Sequence, residues 1–575
     1  MRTSVLSFLA FLLFAVAVDA ERVEPVFVRE AIGIQAAAAP AHLADREPPM
    51  VTLAAARDAV PGEIAAIQEW NEQGNRPAKN GFTRSTGGVL AVRVAPAEVS
   101  AKGGLGHVAM SNRGTSVWAG SIRVAGAYRL RIHLQNVVVP PGTRFWVYGH
   151  AGTAIAFGTE LIDDRGELYT PSVEGELVHL EMELPAGTLG ASFDITNVVE
   201  LVGPLTTHDS PTCLIDATCV TSSTLDVIDL YRRAVAHLEY VKDGGSFVCT
   251  GGLLNDRDDS SFIPYLLTAN HCFSTQTSAT SLEAYWDYRT ATCAGVFPSM
   301  GSSPRSNGST LLATSPTSDF TFVRMNSVPS GRVFLGWDTG PLTAGTMLYR
   351  ISHPFPDSFA DPAPQAYSTT IVTTTSSTCT GKSRPDFIYS TTGDGGTYGG
   401  SSGSPVILSG GITVGQLYGA CGPDPSAGCN VSNYTVDGAF AQTYPSVSGY
   451  LSGGGGGATV CTPNSTTLCL NDGRFRVTAT FLTPQGQSGN ANAVTETSAT
   501  GLFWFFSADN VEAIIKVVNG CALNSRYWVF AGGLTNVQVS ITVTDTRNGT
   551  TRTYTNPQGV AFQPIQDTNA FATCP

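Results

Sequence analysis

Three short stretches of this chain carry side chains that could do acyl-transfer chemistry together. "YLLTANHCF" (265–273) is an apolar run that ends on His271, with Cys272 directly after it. "SDFTFVRM" (318–325) puts Asp319 at the mouth of an alternating run, and "YGGSSGSPV" (398–406) sets Ser402 among glycines. A serine hydroxyl is a weak nucleophile until a nearby base takes its proton, and the base needs a carboxylate to fix its tautomer and stabilise the imidazolium. A Gly-rich turn both exposes the hydroxyl and aims backbone N–H groups at one point, which is how an oxyanion is held. Taken singly, each stretch has a plainer reading: a structural histidine, a strand-capping carboxylate, a surface loop. Their order is His, Asp, Ser, at gaps of 48 and 83 residues, and together they supply one candidate for each role.

Elements of a particular kind must position these groups. Hydrophobic residues make up 42% of the 575, charged residues only 14%, and there are 61 Gly and 33 Pro, a composition of β-rich, turn-rich domains. Between 210 and 450 the runs "SFVCTGGLL", "FIPYLLTA", "SLEAYWDY", "DFTFVRM", "TMLYRISH", "SPVILS", "TVGQLYG" and "DGAFAQTY" read as strands separated by turns, with no long helical period. The expected fold class is all-β, a barrel or sandwich at this position. A net charge of −13 offers no basic field for phosphates, so nucleic acid is not an expected partner.

Compartment and organisation follow from the ends of the chain and from its cysteines. Arg2, the uncharged run "VLSFLAFLLFAVAV" and then "VDA" mark residues 1–20 as a secretory signal peptide with a cut after Ala20. No later stretch has the roughly 20 uninterrupted apolar residues of a membrane span. The mature protein is expected to be secreted, extracellular and free of membrane. All twelve cysteines come at or after Cys213, in the stretch "THDSPTCLIDATC" and beyond. In an oxidising compartment an even count reads as disulfides. With no Cys-x-x-Cys pair, a zinc site is disfavoured and no metal is expected.

The chain divides into residues 21–208, with a partly disordered Ala-rich start, a short helix over 61–74 and a β-sandwich from about Gly87. A domain over 209–450 bears the three motifs. A Gly-rich linker spans 451–458, and a β-rich accessory unit follows at 459–575. The sandwich strands are "VWAGSIRV", "YRLRIHLQNV", "RFWVYG" and "LVHLEMEL".

"LLTANHC", "SDFTFVR" and "GGSSGSPV" with "GQLYG" resemble the lysyl-endopeptidase-like branch of the chymotrypsin-fold serine proteases, over roughly 210–447. The resemblance implies two six-stranded barrels with the site between them. It makes His271 the base, Asp319 its orienting carboxylate and Ser402 the nucleophile, with the N–H groups of Gly400 and Ser402 as oxyanion hole. Leu417, Tyr418 and Gly419 would pair with substrate backbone. It also implies bridges Cys249–Cys272 and Cys219–Cys293, and a bridge from Cys213 to Cys421 or Cys429 that leaves Cys379 for the other; eight cysteines by themselves allow 105 connectivities. The cysteine-free segment resembles a pro-region released by cleavage near 203–212. Polypeptides are the implied substrates, and no cofactor is required.

Two positions depart from that pattern. Ser401 stands where trypsin has the Asp that receives a new N-terminal amine, so bridging through Cys213 is the expected way of ordering the N-terminus. Lysine-selective members carry an Asp at the base of the primary pocket; here Thr435 holds that place, Asp437 lies about two positions later, and Tyr418 replaces a stacking His. A preference for basic residues therefore stays open.

Weaker signals are "NDRDDSS" (255–261), read as a solvated loop rather than a calcium site, and His353, read as packing. The aromatic run "LFWFFS" (502–507) is read as core, with surface or polysaccharide contact as the other use. The rival to a working enzyme is a catalytically inactive, protease-like extracellular binding or adhesion protein. A secreted esterase is a weaker rival, since its Gly-x-Ser-x-Gly elbow leads into a helix and its His comes last.

Overall fold

The computed structural model describes residues 20–27, 50–51, 61–72 and 76–573, apart from 95–105, 111–114, 141, 150–153, 164, 187–189, 204–212, 259–261, 356–363, 375–378, 426–428, 453–460, 462, 472, 525 and 547–549. The signal-peptide run, the 204–212 junction and most of the Gly-rich linker fall outside the described residues. What is described is mostly β, with barrel and sandwich sheets.

The first unit packs two sheets face to face. Ser116–Arg123 pairs with Leu177–Leu184, which pairs with Arg144–Tyr148. Opposite them Arg129–Val138 pairs with Ala191–Leu201, which pairs with Ala78–Val94. Alternation along the strands sends Trp118, Phe145, Leu180 and Phe193 into one core, where Trp118 meets Phe193 edge-on at 5.2 Å. Ala78–Val94 carries Gly81, Gly87 and Gly88 among Ser and Thr, so its residues look like a turn; pairing with neighbours on both sides makes it a strand.

That second sheet does not stop at a domain border. Ala78–Phe82 pairs antiparallel with Gly245–Val248, and the sheet continues through Val235–Lys242 to Glu283–Trp286. Gly245–Leu254 also pairs with Tyr265–Ala269, which pairs with Phe320–Met325 and then Ser309–Ser315, so the first barrel grows out of the N-terminal unit's sheet. The second barrel contains Met347–Ser352, Ala366–Val372, Phe387–Thr392, Pro405–Leu408, Ile412–Cys421 and Tyr434–Ala439.

One local expectation is corrected. "DGAFAQTY" is a strand only as far as Ala439; Phe440–Leu451 is a helix that buries Phe440, Val447 and Leu451 in the core with Tyr265, Phe322 and Trp337. Its aromatic and β-branched residues, with Pro445 inside, look strand-like locally, and the apolar stripe at helical spacing wins once it has a core to cover. The Ala-rich start is ordered at its head: Arg22–Val23 pairs with Gly336–Asp338, and Val26–Phe27 with Val333–Phe334. The Glu21 N–H donates to Thr339 Oγ1 at 2.8 Å, and Val23 is buried. Two-residue strands are too short to leave a period in the sequence, yet they cap an open sheet edge.

The C-terminal unit is two five-stranded sheets around Phe475, Phe503, Phe505, Val529 and Ile541. Phe503 and Phe505 are core, Leu502 and Trp504 are half-buried and Phe506 is exposed, so the run alternates between core and surface. His353 is fully buried, with Nδ1 2.7 Å from the Pro364 carbonyl; burial first, then the neighbouring His237, pull its pKa down to about 3.

Charged groups cross the seam between the first unit and the barrel. Arg129 donates to both Glu239 oxygens (2.5 and 3.0 Å), to Ser172 Oγ (3.1 Å) and to Tyr285 OH (2.9 Å), all buried. Asn80 adds a 2.7 Å bond to Glu239, and Arg131 donates to the Ser281 carbonyl at 2.8 Å. Burial alone would raise the Glu239 pKa; the Arg129 charge overrides it and holds the carboxyl well below its usual range. A depressed folded value means this pair stabilises the seam above the ordinary carboxylate range and loses that contribution as pH falls through the folded value, at strong acidity. Arg129→Met strands a buried carboxylate and is expected to cost the full chain about 3–5 kcal/mol in urea unfolding; adding Glu239→Leu is expected to recover most of the loss.

Candidate active site

The strand Tyr265–Ala269 is buried at every residue and paired on both edges, so its end has a fixed place. His271 emerges there, and the Cys249–Cys272 bridge ties the following residue to the neighbouring strand. Closing that 23-residue separation stabilises by about 3 kcal/mol on loop-entropy grounds. The structure brings His271 and Asp319 together twice. The His271 N–H donates to Asp319 Oδ1 at 3.0 Å, and Nδ1 lies 2.7 Å from Oδ2. A carboxylate can only accept, so Nδ1 carries the hydrogen in this pair, and in the neutral ring Nε2 presents its lone pair. Nε2 is buried without a hydrogen-bond partner, so no hydrogen bond joins it to Ser402 Oγ.

Asp319 holds a left-handed backbone (φ 52°), a conformation that costs a non-glycine residue about 1–3 kcal/mol. Its surroundings enforce it. The Asp319 carbonyl accepts the Asn270 N–H at 2.9 Å and the Gln416 side-chain amide at 3.2 Å, while the same amide reaches the Ser318 carbonyl at 2.7 Å. Gln416 belongs to the second barrel, so both barrels grip this turn. "GQLYG" was in view in the sequence, but nothing local says that its glutamine reaches a turn 97 residues away.

The turn bearing Ser402 is fastened to the first barrel by Thr250, which the sequence reading also missed. The Thr250 N–H donates to the Ser402 carbonyl (2.8 Å), Oγ1 donates to the Gly400 carbonyl (2.9 Å) and accepts the His353 N–H (3.0 Å). Gly403 lies so close to the His271-bearing strand that a Cβ would come within 2.8 Å of the Ala269 nitrogen. Gly400 has φ +95°, and a Cβ there would fall 2.7 Å from the Phe355 nitrogen. The N–H groups of Ser401, Gly403 and Ser404 are bonded internally, whereas those of Gly400 and Ser402 find no acceptor among the described residues. The result is a buried hydroxyl-bearing residue beside two uncommitted donors, the arrangement that can bind an oxyanion.

The substrate-side residues divide. Tyr418 stands edge-on to the His271 ring at 5.6 Å, beneath the Lys382 ammonium at 4.2 Å. Leu417 spends its N–H on Ser404 and its carbonyl on Gly403, which leaves strand edge only around Tyr418 and Gly419, where the register shifts. Thr435 lines a cavity; Asp437 does not. Asp437 is fully buried and receives Arg350 Nη2 at 2.7 Å, while Arg350 Nη1 reaches the carbonyl and hydroxyl of Ser404 at 3.1 Å. Burial raises the Asp437 pKa against the opposing pull of Arg350. Asp437 is thus the counter-ion of a buried guanidinium.

The remaining bridges are Cys213–Cys429, Cys219–Cys293, Cys379–Cys421 and Cys461–Cys469, and Cys521 is disulfide-bonded as well. Ser401 is buried, its Oγ accepting the Tyr398 N–H at 3.3 Å. Among the described residues no group of His, Cys, Asp and Glu is arranged to hold a metal ion, and "NDRDDSS" is described only as far as Asp258.

Residues 207–438 match the family described as lysyl endopeptidase, C-terminal domain. The lysyl endopeptidase of Pseudomonas aeruginosa is 29% identical over 252 residues, which cover 41% of this chain and 54% of that protein; the chain thus spans about half the length of this curated relative. Solved structures of Deg5 (13% identity, TM-score 0.26, 39% of this chain and 92% of that one) and of GrC (15%, 0.27, 38% and 93%) are also similar.

Gly400→Ala forces a side chain into the left-handed region and against Phe355. It is expected to cost about 1–3 kcal/mol, read as a lower midpoint in urea.

Proposed function

We propose, from the resemblance of residues 207–438 to the lysyl endopeptidase C-terminal domain, that this chain is a secreted serine endopeptidase. The observation that carries the reading is the His271–Asp319 pair, with Nδ1 committed to the carboxylate and Nε2 free. In this reading Nε2 takes the proton as Ser402 Oγ attacks the peptide carbonyl. The oxyanion that forms is held by the N–H groups of Gly400 and Ser402. His271 then gives the proton to the leaving amine, and a water activated by the same ring hydrolyses the acyl-enzyme. Asp319 orients the ring and stabilises its charged form; Gln416 and Thr250 act through the two turns they hold.

Residues 1–20 serve as the export signal and the unit up to about 208 as a pro-region. Support comes from where that unit sits. Ala78 and Lys79 pair with Val248 and Phe247 on the edge of Gly245–Leu254, and the Ala78 Cβ is 3.5 Å from the Cβ position of Gly399, beside the Ser402 turn. Trp70, in the helix Pro61–Glu72, packs on Phe247 at 5.7 Å. An extended substrate needs strand edges near the nucleophile, and here the pro-region's own strand holds one. Cutting the 204–212 junction leaves that pairing and the Arg129–Glu239 seam intact, so release takes a second step.

The test is active-site labelling. A fluorophosphonate is expected to label the processed protein and to leave Ser402→Ala unlabelled, and Asp319→Asn is expected to lower kcat/KM about 10⁴-fold. A processed wild-type chain that neither reacts with the probe nor cleaves peptides would instead be the inactive, protease-like binding protein. Cleavage confined to 204–212 is expected to give two fragments that co-elute in gel filtration, with labelling rising only after they separate.

A further inference from the structure

One edge of the strand Gly245–Leu254 is taken by Val235–Lys242. The other edge meets three partners in succession. Gly245–Val248 pairs with Ala78–Phe82 of the N-terminal unit, the Thr250 N–H donates to the Ser402 carbonyl at 2.8 Å, and Gly252–Leu254 pairs with the strand that delivers His271. The N-terminal unit, the nucleophile's turn and the base's strand thus share one line of backbone groups. Val248 is two residues from Thr250, a separation of about 7 Å along a strand. A second contact agrees: the Ala78 Cβ is 3.5 Å from the Cβ position of Gly399, three residues before Ser402.

Direction decides what this strand imitates. The pairing is antiparallel, so the chain passes from Ala78 opposite Val248 to Lys79 opposite Phe247, away from Thr250 and the Ser402 turn. In a bound substrate the residues after the scissile bond recede from the nucleophile in that same sense, and those before it approach. Ala78 and Lys79 therefore lie as the leaving half of a substrate does, with Ala78 second after the bond that faces Ser402. The residues just upstream are held by the N-terminal unit itself. Trp70 Nε1 donates to the Pro77 carbonyl at 2.9 Å, and the Arg76 guanidinium lies over the Trp70 ring at 4.3 Å. Asn71 accepts the Lys79 N–H at 2.7 Å and donates to the Lys79 carbonyl at 3.1 Å. A chain clamped in this way offers a leaving half while its upstream side chain stays folded on Trp70.

We propose, resting on the endopeptidase reading, that the pro-region inhibits as a mimic of the leaving half of a substrate. It takes the edge Gly245–Val248 on which the residues after the scissile bond bind, and Gly399 demands a small side chain at the second of them. Ala78 is 3% exposed, and the Phe355 N–H fixes the Gly399 carbonyl at 2.6 Å, directly before Gly400. A larger side chain at this place has to displace a segment that is held at both of its neighbours.

The experiment uses the full chain cut within 204–212, and the enzyme separated from it, with active fractions counted by fluorophosphonate titration. Peptides share one sequence before the scissile bond and differ after it. With the separated enzyme, adding the second residue after the bond is expected to raise kcat/KM about 10-fold, and Ala there to exceed Trp about 10-fold. In the cut chain before separation, Ala78→Trp is expected to label about 10-fold faster than wild type, while the separated enzyme, which lacks residue 78, is unaltered. The peptide series needs no variant, so it decides the case even where Ala78→Trp disturbs folding of the pro-region. Labelled enzyme indifferent to the residues after the bond, or equally fast with Trp and Ala at the second, overturns the inference and leaves the endopeptidase reading standing. Protein that neither labels nor cleaves overturns both.

Discussion

A carboxylate removed from water must find donors, and at Asp319 both come from one residue, the backbone N–H and ring nitrogen of His271. That demand organises the centre of the molecule. The carboxylate reaches both donors only because Asp319 adopts a left-handed backbone, and the backbone keeps that form because Asn270 from one barrel and Gln416 from the other hold its carbonyl. The imidazole's free nitrogen is therefore aimed by the relation between two barrels rather than by a loop. The Ser402 turn obeys the same logic. Thr250 bonds to it from the first barrel and Leu417 from the second, and the two remaining donors find no acceptor among the described residues.

The N-terminal unit reaches this centre through backbone as well as side chains. Its sheet adds to the edge of the strand that carries Cys249, and the seam is sealed by buried guanidinium–carboxylate pairs. Strand addition satisfies a row of backbone groups at once, so the join is strong without a large apolar patch. Residues 21–27 make a second attachment, along Val333–Asp338. Severing one covalent link therefore need not separate the parts.

Buried charge also braces the turn that follows Ser402. Arg350 holds the Ser404 carbonyl and hydroxyl in place, and its own charge requires Asp437. A carboxylate used in that way serves the scaffold.

Much of this was legible in the residues. The His-Asp-Ser order, the glycines around Ser402, the late onset of cysteine and the alternating strands are local features, and local features follow from residue type and spacing alone. The helix Phe440–Leu451 and the strand Ala78–Val94 were misread or missed because their local preferences oppose the outcome; burial of one face and pairing on two edges outweigh propensity. Which cysteine meets Cys213, where Glu21–Phe27 docks, how the N-terminal sheet joins the barrel and what neutralises Asp437 belong to the tertiary structure. Each is a contact between residues far apart in the chain, and its energy comes from the shared burial of two partners, a quantity that neither partner's own neighbourhood contains.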